Sequence, residues 1–335
     1  MRNVDPESGE ANAALKPMSF PKAASEDRII GRLLDLKGQP VVGAIVEVEG
    51  VRHGRYSYTS AQGNCDTVAA TDDNGVFQLT CKSHLQAVLV TFKPRRLARS
   101  KMWLDRGKAY MVSVKSGVTV EGRLMFQNKP VSEVSVSMST ESRSLETHLA
   151  GMEAGTDEEG RFRLTQIPPG GRFFVYPMLK DTGSLGANMR PLLVETKEDG
   201  STVALGDLKL EPGLTIKGRV VLSDGKDLPD RTRLRVSPEL SFESAQVLVD
   251  DDGVFEVAGL APGPLSLGIS MEGYRMSARN PSKDWYNPGS LIGTLDRSLE
   301  DFLIHLEPGG RQDPNEIGAP DGGHPRALPL RSAKP

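Results

Sequence analysis

The sequence predicts an all-β protein: three tandem, seven-stranded-type antiparallel β-sandwiches between two disordered ends. Three signatures that recur in one fixed order carry the prediction. "TDDNGVFQLT" at residue 71 returns as "TDEEGRFRLT" at 156 and as "VDDDGVFEVA" at 249. Upstream of each stands a Gly-Arg segment: "RIIGRLLDLKGQPV" at 28, "VTVEGRLMFQNKPV" at 118 and "LTIKGRVVLSDGKDLP" at 214. A joining segment closes each repeat: "VSVKSGVTVEGR" at 112, "LKLEPGLTIKGR" at 208 and "IHLEPGGR" at 304. Its glycines, Gly117, Gly213 and Gly309, are spaced by 96 residues and again by 96. A fixed period of this kind is the mark of a repeat architecture.

Each element of the repeat reads as a strand or a turn. Around the Gly-Arg pair, Ile29 and Leu33, Val120 and Leu124, and Ile216 and Val220 share the glycine's face. Arg32, Arg123 and Arg219 point the other way, as a half-buried strand requires. These arginines have two readings, partners for the acidic hairpins or plain charge on an exposed sheet face. Turn residues follow ("KGQP", "QNKP", "SDGKDLP"). The next strand buries Ala44, Val46 and Val48, then Val134, Val136 and Met138, then Leu234 and Val236. After a loop of variable length, the acidic stretch turns into a strand with Phe77 and Leu79, Phe162 and Leu164, or Phe255 and Val257 inward. "IPPGGRFFVYPM" and "LAPGPLSLGIS" supply a Pro-Gly corner and a further strand. Short strands punctuated this regularly predict sandwiches. In the second repeat, Leu145, Leu149 and Met152 are spaced for one face of a short helix, so the long loop there is expected to carry a helical turn.

The boundaries that follow are a disordered segment over 1–26, sandwiches over 27–115, 116–211 and 212–309, and a disordered Pro/Gly-rich tail over 310–335. At 335 residues, 38% hydrophobic and 25% charged, the chain has the material for two or three packed domains. A net charge of −3 with a pI near 6.0 gives no electrostatic case for nucleic acid. No run approaches a membrane span, and the first twenty residues hold no apolar core of signal-peptide type.

The acidic stretch at 71 has the look of a calcium loop. Such a loop needs about six oxygen ligands at alternating positions, closed by a bidentate Glu. Here Asp72, Asp73, Asn74 and Gly75 are consecutive and flanked by strands, and the second copy substitutes Glu158 and Glu159. What persists is acid or Asn, then glycine, then Phe two residues on. Those are the needs of a tight hairpin turn, which places Gly75, Gly160 and Gly253 at structural corners. The five histidines, His53, His84, His148, His305 and His324, make no metal-ligand spacing. There is no Gly-x-Ser-x-Gly elbow, phosphate-cradling loop or dinucleotide fingerprint. The sequence therefore reads as no enzyme, with no cofactor and no metal. Cys65 and Cys81, 16 positions apart, are either a disulfide closing a loop in an oxidising compartment or two unrelated thiols.

The strings "GRLLDLKGQPVVGAIVEVEG", "ATDDNGVFQL" and "LAPGPLSLGISMEGY" together resemble the carboxypeptidase regulatory-like domain, over residues 28 to 308 in three copies. The first copy lacks the Pro-Gly corner, and the second has "VSEVSVSM" in place of the Val-x-Gly-Ala strand. The resemblance implies a transthyretin-like (prealbumin-like) sandwich of Ig-like architecture, related to starch-binding modules. It implies no peptidase domain, and a non-catalytic role as a bacterial extracytoplasmic spacer, scaffold or adhesion-type module, secreted or at the cell surface. Expected partners are a polysaccharide or another cell-envelope protein; a remoter expectation is service as accessory domains to a peptidase or other enzyme encoded elsewhere. An upstream start or membrane segment would reconcile that location with the leaderless beginning. For carbohydrate binding the candidates are Trp285 and Tyr286 in "SKDWYNPGS" and Trp103 in "SKMWLDRG". Exposed, each offers a flat stacking surface; turned inward, each plugs its own sandwich.

Overall fold

The computed structural model describes residues 27–58, 63–277, 285–287 and 290–309. The two ends expected to be disordered lie outside the described residues. The chain divides into two compact units: one runs to Gly213 and includes Leu240–Phe242, and the other holds Leu214–Glu239 and the residues from Glu243 onward.

The first unit contains two pairs of sheets. In the first pair, the Gly-Arg strand Arg28–Asp35 lies between Val76–Thr80, antiparallel, and Ala109–Val114, parallel. Its partner sheet is ordered Tyr56–Tyr58, Ile45–His53, Ala87–Lys93, Ser100–Asp105, with Val68–Ala70 also on Ile45–His53. The second pair repeats the plan. Val118–Phe126 lies between Arg161–Ile167 and the parallel strand Thr202–Pro212, and Ser135–Thr140 lies between Met152–Gly155 and Arg172–Pro177, which is followed by Leu192–Glu195. In the second unit, Leu214–Leu222 lies between Val254–Leu260 and the parallel strand Leu299–Pro308. Facing it are Ala245–Leu248, Arg233–Pro238, Gly263–Ile269, Ser290–Leu295 and Tyr286–Asn287, in that order.

The fold is therefore an all-β tandem of sandwiches, antiparallel throughout except for one parallel pair in each. That pair follows from the joining segment. It ends each repeat beside the Gly-Arg strand that began it, and runs in the same direction. Short extra strands such as Tyr56–Tyr58 and Lys129–Pro130 carry the sheets beyond a seven-strand minimum.

Burial follows the period-2 pattern. Ile29, Leu33, Phe77, Leu79, Val46, Val90 and Phe92 meet in one core drawn from both sheets of the first pair. Val120, Leu124, Phe162, Leu164, Val136, Met138 and Phe173 meet in another. Ile216, Val220, Phe255, Val257, Leu234 and Val236 are buried in the second unit. Side chains from both inner faces filling one layer define a sandwich.

The long loop of the second repeat carries the expected turn and no more. Residues 141–151 form no helix beyond a single turn, in which the His148 N–H donates to Ser144 O at 2.9 Å. Leu149 instead drops into the core, and Met152 opens a strand, which takes it out of helical register. Among the described residues the α-helix is Leu179–Leu185, ended by Gly186 at φ 60°.

Candidate functional site

The three acidic corners share one geometry. Asp72 Oδ1 accepts hydrogen bonds from the N–H groups of Asn74 and Val76 at 2.9 and 2.8 Å. Asp157 Oδ1 does the same for Glu159 and Arg161, at 3.0 and 2.7 Å. Asp250 Oδ1 accepts from Val254 N–H at 2.6 Å. The glycine that follows takes φ of 73°, 75° and 81° at Gly75, Gly160 and Gly253. Its carbonyl accepts from Leu33, Leu124 or Val220 N–H at 2.8 Å in every case. A Cβ there would stand 2.4–2.6 Å from the carbonyl oxygen of that same residue, so only glycine fits. The carboxylates are thus occupied in capping backbone. Among the described residues no three His, Cys, Asp or Glu side chains gather where an ion could sit.

The arginines divide between their two readings. Arg32 Nε donates to Asn74 O and Arg123 Nε to Glu159 O, both at 2.7 Å, latching the Gly-Arg strand to the corner beside it. Arg219 is exposed.

The thiols are joined: Cys65 and Cys81 form a disulfide, and their backbones meet in an isolated antiparallel bridge. The disulfide ties the loop before Val68–Ala70 to the end of the hairpin strand.

The tryptophans are used within the protein. Trp285, where the sugar-stacking reading requires an exposed face, is only 6% exposed. Its ring stands edge-on to Phe302 with centroids 5.4 Å apart and lies over Gly293, where an added Cβ would come within 2.3 Å of it. The physical reason is the missing side chain at Gly293, which leaves a slot in the sheet that the indole fills. Tyr286 opens the strand Tyr286–Asn287 and pairs with Leu291. Trp103 is half-buried, with the Arg52 guanidinium 4.2 Å above its ring and its indole N–H donating to Glu146 Oε1 at 3.0 Å.

Trp103 belongs to an extended constellation of polar side chains within the first unit. Arg99, Lys101 and Trp103 alternate along "ARSKMW" and so share a sheet face. All three reach into the loop 145–151 of the second repeat. Arg99 donates to Ala150 O at 2.9 Å and Gly151 O at 3.1 Å. Lys101 Nζ donates to His148 O at 2.5 Å and is paired with Glu49 at 2.5 Å, its side chain only 4% exposed. Burial pushes the Glu49 carboxyl up, but Lys101, together with Thr91 and the Lys93 charge, outweighs it and holds Glu49 below the usual carboxylate range. Burial lowers His148, favouring the neutral ring.

The chain crossing is pinned as well. Asp199 accepts from Ser116 N–H at 3.1 Å and Gly117 N–H at 2.6 Å, and Gly200 N–H donates to Gly117 O at 3.0 Å. Gly117 sits at φ 96°, and a Cβ on it would stand 2.8 Å from Gln166 Cα. Gln166 in turn donates to Arg95 O at 2.5 Å. Charge pairing, caps and carbonyl acceptors are what this site offers, and their combined effect is to hold the first two sandwiches in one relation. Sequence reasoning passed over Glu49, Arg99, Lys101 and Asp199. The alternation of Arg99, Lys101 and Trp103 was a visible signal for three of the partners, but what they touch lies 51, 47 and 43 residues on.

Compared with known proteins, no protein-family profile matches the chain, and no curated protein does. Solved structures with some likeness include the Bacillus anthracis TIE protein, at TM-score 0.24 and 13% identity over 84% of this chain and 50% of that one. This chain thus spans half the length of that protein. Others are a streptococcal ancillary pilin, at TM-score 0.29 and 12% identity over 85% and 99%, and a minor pilin of Streptococcus agalactiae, at 0.26 and 11% over 57% and 96%. Among the described residues no helix is long and apolar enough to cross a membrane.

Proposed function

We propose that this chain is a non-catalytic extracytoplasmic scaffold whose sandwiches, of carboxypeptidase regulatory-like kind, hold a partner or spacing in the cell envelope. The observation that carries the reading is the pinned crossing between the first two sandwiches. Arg99, Lys101 and Trp103 clasp the 145–151 loop while Asp199 caps the backbone at Ser116 and Gly117. A chain whose only task was to tether would need a polar, extensible linker. Here no linker residue is left over.

Two further observations support it. The residues that repeat most faithfully, the corner acids, glycines and phenylalanines, are all engaged in backbone geometry or core packing. The Cys65–Cys81 disulfide suits an oxidising compartment.

Two measurements test the proposal. Spin labels attached bio-orthogonally at the exposed positions 37 and 180 of the full chain are expected to give one narrow distance distribution, broadened by Asp199→Ala. A broad distribution in the unaltered protein would overturn fixed spacing. Fractionation of native cells with thiol labelling is expected to place the oxidised protein outside the cytoplasm, and a cytoplasmic, reduced pool would overturn the location.

A further inference from the structure

The second unit carries a cleft of about 850 Å³ on the outer face of its five-stranded sheet. The sequence "RTRLRV" builds it. Arg233 and Arg235 lie on one face of the strand Arg233–Pro238, while Leu234 and Val236 between them are buried. Residues two apart on a strand stand about 7 Å apart along it. Arg231 precedes them in a turn at φ 62°, a conformation that non-glycine residues seldom hold. The turn is fastened by Thr232, whose hydroxyl and N–H both donate to Pro229 O, at 2.7 and 3.2 Å. A strained turn held this firmly fixes where the third arginine starts from.

The floor beside these arginines is bare. Arg235 faces Gln246 across one ladder and Gly268 across the other, and nothing stands within 4 Å of the place a Gly268 side chain would occupy. Arg233 faces Leu248, an exposed apolar side chain. None of the three guanidiniums has a hydrogen-bond or ion-pair partner among the described residues, although Arg and Glu pair readily elsewhere in the chain. Asp230 and Glu272 also line the cleft.

We propose that this cleft binds an acidic polysaccharide, a chain of sugars bearing carboxylates at intervals. Guanidinium is the group best shaped to grip a carboxylate, through two parallel N–H bonds. Gln246, Asp230 and Glu272 suit sugar hydroxyls, and Leu248 offers apolar area to a ring face. The two acids also argue against a densely charged phosphate polymer, which would meet them at every repeat. The inference does not rest on the scaffold reading, since a spacer and a non-spacer alike could carry such a cleft.

The test is calorimetric titration of the full chain with oligogalacturonate, and with neutral dextran as control. Binding of oligogalacturonate alone is expected, weakening as salt screens the charges. Arg233→Ser combined with Arg235→Ser should weaken it about tenfold or more, since two charge-assisted grips are removed. Lys217→Ser, which removes a cation from the other sheet of the same unit, should leave it unchanged. Thermal melts of both variants establish folding, and because all three positions are exposed the melts should match the parent. No binding of oligogalacturonate, equal binding of dextran, an unaltered affinity in the double arginine variant, or an equal loss in Lys217→Ser would each overturn the proposal.

Discussion

Gly31 lies directly across the ladder from Phe77, and a Cβ on Gly31 would fall 2.3 Å from the phenyl Cζ. The relation recurs at Gly122 and Phe162, at 2.9 Å, and at Gly218 and Phe255, at 2.7 Å. Two of the repeated signatures are therefore one device. The glycine gives up its side chain so that the phenylalanine, two residues past the hairpin glycine, can lie flat over the strand as the sandwich closes.

Gly31→Ala is thus expected to destabilise by about 1–3 kcal/mol through overpacking, although alanine normally suits a strand at least as well as glycine. Phe77→Leu alone should cost about 1–3 kcal/mol. Combining the two should cost less than the sum, because the smaller side chain frees the space the methyl needs. Urea denaturation of the four proteins reads the coupling, and strict additivity would remove the device.

Gly75 and Gly38 share φ 73°, but only at Gly75 would a Cβ meet a neighbour, Leu33 O at 2.5 Å. Alanine at Gly38 should cost about 1 kcal/mol, the price of the backbone conformation alone. Alanine at Gly75 should cost clearly more, since the corner must open. Because Asp72 is occupied by backbone N–H groups, millimolar calcium should leave the melting temperature unmoved, where a bound ion would raise it.

The repeat, the strands and their inward faces were legible because they rest on period-2 burial and on turn chemistry, which act between near neighbours. Ile29, Leu33, Phe77 and Leu79 all lie where alternation puts them. The helix Leu179–Leu185 was not legible: seven residues with Gly183 among them are too short to display a 3.6 period. The spacing of Leu145, Leu149 and Met152 matched the loop's single turn, but the three share no helix face, because Leu149 lies in the loop and Met152 opens a strand. Trp285 could be read in either direction, since exposure depends on Gly293 and Phe302 across the sheet. The crossing was illegible for the same reason, with Lys101 and its acceptor His148 47 residues apart.

Reduction of the Cys65–Cys81 bridge, or Cys65→Ser with Cys81→Ser, frees a loop closed over a separation of 16 residues. The expected loss is about 3 kcal/mol in the first sandwich if loop entropy dominates. Protein prepared under oxidising conditions should show no free thiol by colorimetric titration until it is denatured with reductant.

Lys101 and Glu49 give the crossing a dependence on pH. Glu49 is held below its ordinary range in the folded protein, so the stabilisation it lends is full above about pH 4.3, the unfolded value, and is lost as pH falls through the lower folded value. Glu49→Gln leaves the ammonium of Lys101, 4% exposed, without its counter-charge. At neutral pH this should cost about 1–3 kcal/mol. The gap in melting temperature between the two proteins should be flat from about pH 8 to pH 5 and should close below about pH 4, as the parent protonates and comes to resemble the variant. A gap that widened on acidification would reverse the sign of the linkage and remove Glu49 from the clasp.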